Sequence, residues 1–254
     1  MLLFGDYHTH TKYSRNFHGK STIEQNVKIA VQKGLKEVGI TEHGFAHKWY
    51  GVKKRNIAKM RAEVDRLQKL YPIKIYLGIE ANLISYDGDI DLTTHEQQWF
   101  DYIIVGYHSG AKTKKCDRKK FKQNNRAYKK NSYTQELIEA NTQAYIKAIT
   151  KNKVNIISHI ASKFKCNIPE VAKVCKQTGT LLEINGRRIC YSAQDVDKLV
   201  DMGTKFIIDS DAHCAKNVGE CNYPTNFAIM HNIPTNLIVN MDKLPHFKYT
   251  EIKW

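Results

Sequence analysis

Residues 6–10 read Asp6-Tyr7-His8-Thr9-His10 and close the first apolar run of the chain. In an extended strand, side chains two positions apart point to the same side, so His8 and His10 can present both imidazoles to one cation. Imidazole nitrogen suits zinc, iron, manganese and nickel. A surface strand can also carry two histidines that bind nothing. The rest of the sequence decides between these two interpretations.

The composition narrows the class of protein. A chain of 254 residues has the length of one α/β barrel domain, which we expect to span residues 1–254. Its six cysteines include no CxxC pair, which argues against a disulfide framework and a cysteine zinc site and predicts reduced, cytosolic thiols. We find no secretion signal and no stretch of eighteen apolar residues, so we expect a cytoplasmic protein without membrane contact.

Apolar runs typical of strands alternate with segments of helical periodicity. The predicted strands cover 2–4, 37–43, 74–83, 102–108, 155–160, 181–185 and 205–211. Helix boundaries are predicted from capping boxes at 21–24, 132–135 and 192–195, from glycines 34 and 179, and from prolines 72 and 169. Seven β/α units without a linker imply parallel strands joined by right-handed crossovers. The sequence therefore predicts a single-domain α/β fold, a closed or nearly closed (β/α)7 barrel.

Ligand-type side chains fall where the predicted strands end. Active sites of β/α barrels lie at the C-terminal ends of the strands. The residues at or near those ends are His8, His10, His43, Glu80, His108, His159, Asn185, Arg187, Asp211 and His213. Solvated histidines would fall on helices and loops as often as at strand ends. We therefore predict a common site at this rim, with Asp6 either orienting a histidine or simply polar.

The number of candidate ligands exceeds what one ion can use. Six histidines and the carboxylates of Glu80 and Asp211, which can bridge ions, make eight candidate ligands at the rim. His18 from the first βα loop gives a ninth, although a loop histidine is more often solvated and only the resemblance described below favours it as a ligand. A cluster of two or three divalent ions fits this set, and such clusters activate water for phosphoester hydrolysis. The other histidines, His47, His95, His231 and His246, are expected to be surface or structural.

The ordered set of motifs resembles the PHP superfamily, named for polymerase and histidinol phosphatase. The matching stretches are residues 6–10, His18, 41–43, 78–80, His108, 158–159 and 209–213, and no position of the nine-ligand pattern is missing. The resemblance implies a distorted seven-stranded barrel with a trinuclear centre of zinc, manganese or iron, and the tail is similar to the stand-alone phosphatases.

By this resemblance, each of three metals has its own ligands. The first would be held by His8, His10, Glu80 and Asp211, the second by Glu80, His108 and His159, and the third by His18, His43 and His213. We expect Glu80, Asp211 and His213 to be catalytic, with Glu80 bridging two ions and Asp211 also shuttling a proton.

Positive charge concentrates in the segment that follows the fourth strand. The basic loop 112–130 contains ten lysines and arginines opposed only by Asp117. It is either a flexible solvated segment or a surface that captures a phosphorylated substrate or a nucleic acid, with Phe121 and Tyr128 available for base stacking. The formal net charge of +15 favours phosphate-bearing partners, although a lysine-rich coding bias also explains it.

Arg187 is the preferred residue for binding the substrate phosphate, because guanidinium can donate two parallel hydrogen bonds to phosphate oxygens.

The leading hypothesis is a metal-dependent phosphatase acting on a small phosphomonoester, of which histidinol phosphate is one candidate. A nuclease acting on single-stranded nucleic acid is an alternative that the basic loop supports. A metal-binding or nucleic-acid-binding module without turnover is a second alternative, and the intact ligand set argues against it.

Overall fold

Seven parallel strands follow one another around a barrel in chain order in the computed structural model, which describes residues 2–247. Each strand pairs in parallel with the next, and Thr9 forms a parallel bridge to Ala212 that links the first strand to the last. This confirms the predicted nearly closed barrel. The strands are β1 (Gly5–Asp6), β2 (Glu37–His43), β3 (Lys74–Asn82), β4 (Ile103–Gly106), β5 (Ile156–Ile157), β6 (Leu181–Asn185) and β7 (Phe206–Asp209).

Seven α-helices of the described residues accompany the strands. They are α1 (Ile23–Gln32), α2 (Ile57–Gln68), α3 (Arg118–Lys130), α4 (Gln135–Lys151), α5 (Ile168–Thr178), α6 (Ala193–Asp201) and α7 (Asn222–Met230). The alternation is irregular, because the β3–β4 connection carries only the 3-10 turn Glu96–Trp99 while both α3 and α4 lie between β4 and β5. In the described part of the chain, no helix is long and apolar enough to cross a membrane.

Two of the three predicted capping boxes are wrong by one or two residues. Thr22, not Ser21, caps α1, and its hydroxyl accepts a hydrogen bond from the Gln25 backbone N–H. The Ser21 hydroxyl instead donates to the Asn26 side chain at 2.5 Å. Thr134, not a residue at 132, caps α4. The box of Ser192–Asp195 at α6 is confirmed, as is Gly179 at the end of α5, where φ is +78°.

The segment predicted as a basic loop is largely helical. Residues 118–130 form α3, which buries Phe121, Asn124 and Ala127. Phe121 packs in an aromatic cluster, with its ring centroid 4.7 Å from Tyr86 and 5.6 Å from Tyr107. The prediction that Phe121 could stack on a base is therefore wrong, because packing in the core takes up its ring. Tyr128 remains exposed.

Aromatic rings fill the barrel interior near the N-terminal ends of the strands. Tyr102 and Phe247 stack with ring centroids 4.8 Å apart, and Tyr7 meets Phe247 edge-on at 5.0 Å. Gly39 and Gly78 make room for the Tyr102 ring, because a Cβ atom at either position would collide with it. The opposite end of the barrel is thereby left for polar side chains.

Candidate metal centre

Side chains from six of the seven strands converge at the C-terminal rim of the barrel. His43 is the last residue of β2 and Glu80 lies within β3, whereas most of the others follow their strands by two residues or more. The structure brings together all nine predicted ligands: His8, His10, His18, His43, Glu80, His108, His159, Asp211 and His213. Above them lies a cavity of about 340 Å³.

Glu80 lies at the middle of this cluster and is 1% exposed. Its Oε1 lies 3.4 Å from His8 Nε2, and its Oε2 lies 3.7 Å from His10 Nε2. Three further histidine contacts come from His43 at 2.7 Å, His108 at 3.3 Å and His159 at 2.9 Å. A carboxylate that reaches five imidazoles can bridge two cations.

Asp211 lies close to a second group of histidine nitrogen atoms. Its Oδ1 lies 3.4 Å from His10 Nε2, 3.8 Å from His8 Nε2 and 3.4 Å from His213 Nδ1. The same oxygen lies 3.8 Å from Nη1 of Arg187, which is exposed at the mouth of the cavity. Arg187 thus combines access to solvent with proximity to the cluster.

A third group of donors is made of histidines. His213 Nε2 lies 2.8 Å from His18 Nε2, and donor atoms of His10, His43 and His213 lie within 4.8 Å of one another. Two further sets meet the same distance limit, namely His8 with His10 and Asp211, and His43 with Glu80 and His108. His43 belongs to two of these sets, so it could ligate either of two ions if both were bound.

The chemistry of these donors fits metal ions. Burying a polar atom without a hydrogen-bond partner costs about 1–3 kcal/mol. Among the described residues, buried atoms lacking such a partner include His8 Nε2, His10 Nδ1 and Nε2, His43 Nδ1 and Nε2, and Glu80 Oε2. The 2.7 Å contact between His43 and Glu80 lacks hydrogen-bond geometry, so both atoms are available. Shared cations would satisfy the whole group at once.

Several groups of the cluster have the protonation state that metal binding needs at neutral pH. Burial lowers the pKa of His43 to about 4, and burial together with neighbouring positive charge does the same for His18. Burial raises the pKa of Glu80 and Asp211, but the histidines around them outweigh burial and hold both pKa values well below the usual range. Neutral imidazoles and ionised carboxylates are the forms that bind metals. At His8 and His159 burial lowers the pKa, but the carboxylates of Glu183 and Glu80 outweigh it and raise both pKa values, so a metal bound there would displace a proton.

Two of the candidate ligands have a strained backbone. His159 has φ of +29° and Asp211 has φ of +51°, although neither is a glycine. Such conformations cost about 1–3 kcal/mol and persist where the surroundings impose them, often at functional sites. They also explain why β5 and β7 end earlier than predicted, because the chain turns just after each strand.

Glu183 on β6 is a functional candidate that the sequence analysis missed. It is 1% exposed, and its Oε1 accepts a hydrogen bond from His8 Nδ1 at 2.6 Å. Its Oε2 accepts from the His159 backbone N–H and from the Asn185 side chain, both at 2.8 Å. The sequence did contain a signal for it: Glu183 is the single acidic residue inside the buried, mostly apolar strand Leu181–Asn185, where a charge is costly unless it has partners.

His47 is buried and lines the cavity, so it lies beside the site rather than on the surface. Its ring centroid lies 5.2 Å from His43 and 5.6 Å from His108. The sequence prediction for His95 and His246 is confirmed, because both are exposed, and His231 is half-buried with its ring against Phe227.

Asp6 joins the first strand to the last and touches no ligand side chain. Its carboxylate accepts hydrogen bonds from Ser210 Oγ at 2.5 Å and from the Gly219 N–H at 2.7 Å. It also accepts a long 3.4 Å bond from the His8 backbone N–H. Of the two sequence interpretations, the structure favours the polar residue at a strand over one that orients a histidine side chain, because the contact with His8 is to its backbone alone. The role that the contacts show, linking β1 to the segment after β7, was not predicted.

Two curated relatives with similar sequences are both called probable phosphatases. A curated relative called probable phosphatase, from Clostridium acetobutylicum, is 25% identical, with 98% of this chain and 94% of the relative covered. Another probable phosphatase, from Caldanaerobacter subterraneus, is 28% identical over 95% of this chain and 89% of its own length.

Among solved structures, the fold is similar to that of histidinol phosphate phosphatase from Lactococcus lactis. The TM-score is 0.63 and the identity is 18%, with both chains covered in full. The model of the PHP domain matches residues 6–187, which hold seven of the nine converging donors and leave Asp211 and His213 just beyond. This chain belongs to the PHP domain family.

Proposed function

We propose that this protein is a metal-dependent phosphatase that hydrolyses small phosphomonoesters. The main support for the proposal is the convergence of nine side chains with nitrogen or oxygen donor atoms beneath one cavity. Several of these buried donor atoms have no hydrogen-bond partner, and Arg187 lies at the mouth of the cavity. Membership of the PHP domain family and relatives called probable phosphatases support it.

The ligands would hold two or three divalent ions, of zinc, manganese or iron. They are His8, His10, His18, His43, Glu80, His108, His159, Asp211 and His213. Bound ions would supply an acidic water and neutralise charge on the phosphate. Glu80 has the central position that bridging requires. Use of zinc is supported by the structural neighbour from Lactococcus lactis, which was solved with zinc, L-histidinol and phosphate.

Protein side chains would bind the phosphate and transfer protons. Arg187 can donate two hydrogen bonds to phosphate oxygens from the cavity mouth. Asp211 is ionised and can accept a proton from the attacking water through Oδ1, then pass it to the leaving oxygen. His213 contacts both Asp211 and Arg187, so it lies where the scissile group would bind. The cavity volume of about 340 Å³ suits a small ligand.

The proposal is tested by metal content and phosphate release from the same preparation. Protein purified without chelators is expected to hold two or three transition-metal ions per chain and to release phosphate from a panel of phosphomonoesters, L-histidinol phosphate included. Glu80→Gln serves as the matched inactive control. At most one ion after supplementation with zinc, manganese and iron contradicts the multinuclear centre, and no release from any ester contradicts the phosphatase.

A second candidate function is binding of single-stranded nucleic acid through residues 112–130, either with turnover as a nuclease or without it. The observation that favours it is α3, in which seven of thirteen residues are lysine or arginine and none is acidic. Tyr128 on the same helix is exposed and available for stacking. Degradation of single-stranded DNA, measured beside the ester panel, separates the two activities.

A further inference from the structure

The cavity has positive charges that the proposed reaction does not use. Lys163 follows β5 and Arg188 follows β6, and both line the cavity together with Arg187. The carboxylates that line it are Glu80 and Asp211, and both are engaged with the histidine cluster. The part of the cavity around Lys163 and Arg188 is therefore cationic.

The backbone beneath both cations is fixed by hydrogen bonds. The buried Asn185 side chain accepts from the backbone N–H groups of Arg187 at 2.8 Å and Arg188 at 3.0 Å. The carbonyl of Lys163 accepts from Asn124 Nδ2 at 2.9 Å and from the Tyr133 hydroxyl at 3.1 Å. The backbone of two neighbouring connections is thus fixed where Lys163 and Arg188 line the cavity.

These two cations have no counterion in the described part of the chain. No carboxylate of residues 2–247 lies within ion-pair distance of Lys163 or Arg188, whereas Arg187 approaches Asp211. Lys163 is half-buried, and burial, followed by the charge of Arg188, lowers its pKa. Like charges that line one cavity raise the local concentration of anions.

We propose that Lys163 and Arg188 form a second anion subsite, so that the preferred substrates are phosphomonoesters carrying a further phosphate or carboxylate away from the scissile bond. The inference rests on the proposed function, because it assumes that the scissile phosphate lies at the metal centre beside Arg187. A substrate whose remaining part carries an aminium, such as L-histidinol phosphate, meets two like charges and is disfavoured.

The test compares binding of three non-hydrolysable probes to the metal-loaded protein by titration calorimetry: propylphosphonate, propane-1,3-bisphosphonate and 4-phosphonobutanoate. The bisphosphonate is expected to bind at least about tenfold tighter than propylphosphonate, or about 1.4 kcal/mol. Its two equivalent ends account for only a factor of about two. An equal gain for the phosphonobutanoate assigns the subsite to carboxylates as well, and a gain confined to the bisphosphonate assigns it to phosphate.

Variants locate the effect. In Lys163→Met/Arg188→Met the preference is expected to fall to the statistical factor. The control Arg55→Met/Lys59→Met removes the same two charges from exposed positions outside the cavity and is expected to keep the full preference. Arg188→Glu should raise kcat/KM for L-histidinol phosphate, a gain that misfolding cannot produce.

A wild-type preference of twofold or less, or a full preference retained by Lys163→Met/Arg188→Met, overturns the subsite. Because phosphonates are not hydrolysed, this result is independent of turnover. Failure to release phosphate from any ester overturns the proposed function instead.

Discussion

At the scale of single residues, the proposed metal centre contains two carboxylates whose contacts differ. Glu80 touches five histidines and lies inside the cluster, whereas Asp211 touches three and also faces Arg187. The positions of Glu80 and Asp211 therefore predict different roles for the two carboxylates. A central carboxylate would hold ions together, and one at the mouth of the site could exchange protons with water and substrate.

Replacing these two carboxylates with amides should separate the roles. We expect Glu80→Gln to lose metal and turnover together, because an amide cannot bridge two cations. Asp211→Asn should lower turnover by about 10²–10⁴-fold while much of the metal remains, because an amide cannot accept a proton. Elemental analysis and phosphate release on the same samples measure both quantities. Full metal and near-normal activity in Glu80→Gln would rule out the bridging role.

Glu183 should act on metal affinity through His8. Its 2.6 Å hydrogen bond fixes the tautomer of His8 so that Nε2 faces the cluster. We expect Glu183→Gln to weaken metal binding by about 10–100-fold, as measured by competition with a chelator. Glu136→Gln, at an exposed position on α4, is the matched control. An affinity within twofold of wild type would show that this contact does not tune the centre.

At the scale of elements, sequence patterns located strands better than they located caps or the basic helix. The apolar strands β2 and β6 have the predicted bounds. Helix α3 was missed because its buried face has one large apolar residue, Phe121, and its other anchor is polar. That anchor is Asn124, which donates to the Lys163 carbonyl and accepts from Asn141. Tertiary hydrogen bonds of this kind have no local sequence signature.

One face of α3 should carry any binding of nucleic acid. Lys119, Lys122, Arg126 and Lys130 are exposed and recur at helical spacing, whereas Lys114 pairs with Asp89 and is less available. Changing these four to glutamine should weaken binding of single-stranded DNA and reduce its salt slope by about three, at about 0.7 per charge. Fluorescence anisotropy at several salt concentrations measures both. A collapse of small-ester turnover in this variant would instead place α3 in the active site.

At the scale of the whole molecule, the sequence could predict the barrel and the convergence of the nine candidate ligands, because six of the seven strands carry such residues at or soon after their C-terminal ends. It could not show that His47 is buried beside the centre or that Phe247 fills the barrel interior, since both depend on long-range packing. Nor could the sequence show that Lys163 and Arg188 line the same cavity, because the fold brings together the connections that follow β5 and β6.

The proposed metal centre should also stabilise the barrel, because its candidate ligands lie on or soon after six strands and the closing contact of β1 with β7 lies beside it. Ions that bind only the folded chain add about 4 kcal/mol at a free concentration a thousandfold above Kd. For a chain of this size, chelation should lower Tm by roughly 10 °C, and added zinc should restore it. Glu80→Gln should show a smaller difference between the two conditions, because it has less metal to lose. Identical melting curves with and without metal, on samples whose metal content is confirmed, would mean that the barrel closes through its protein contacts alone.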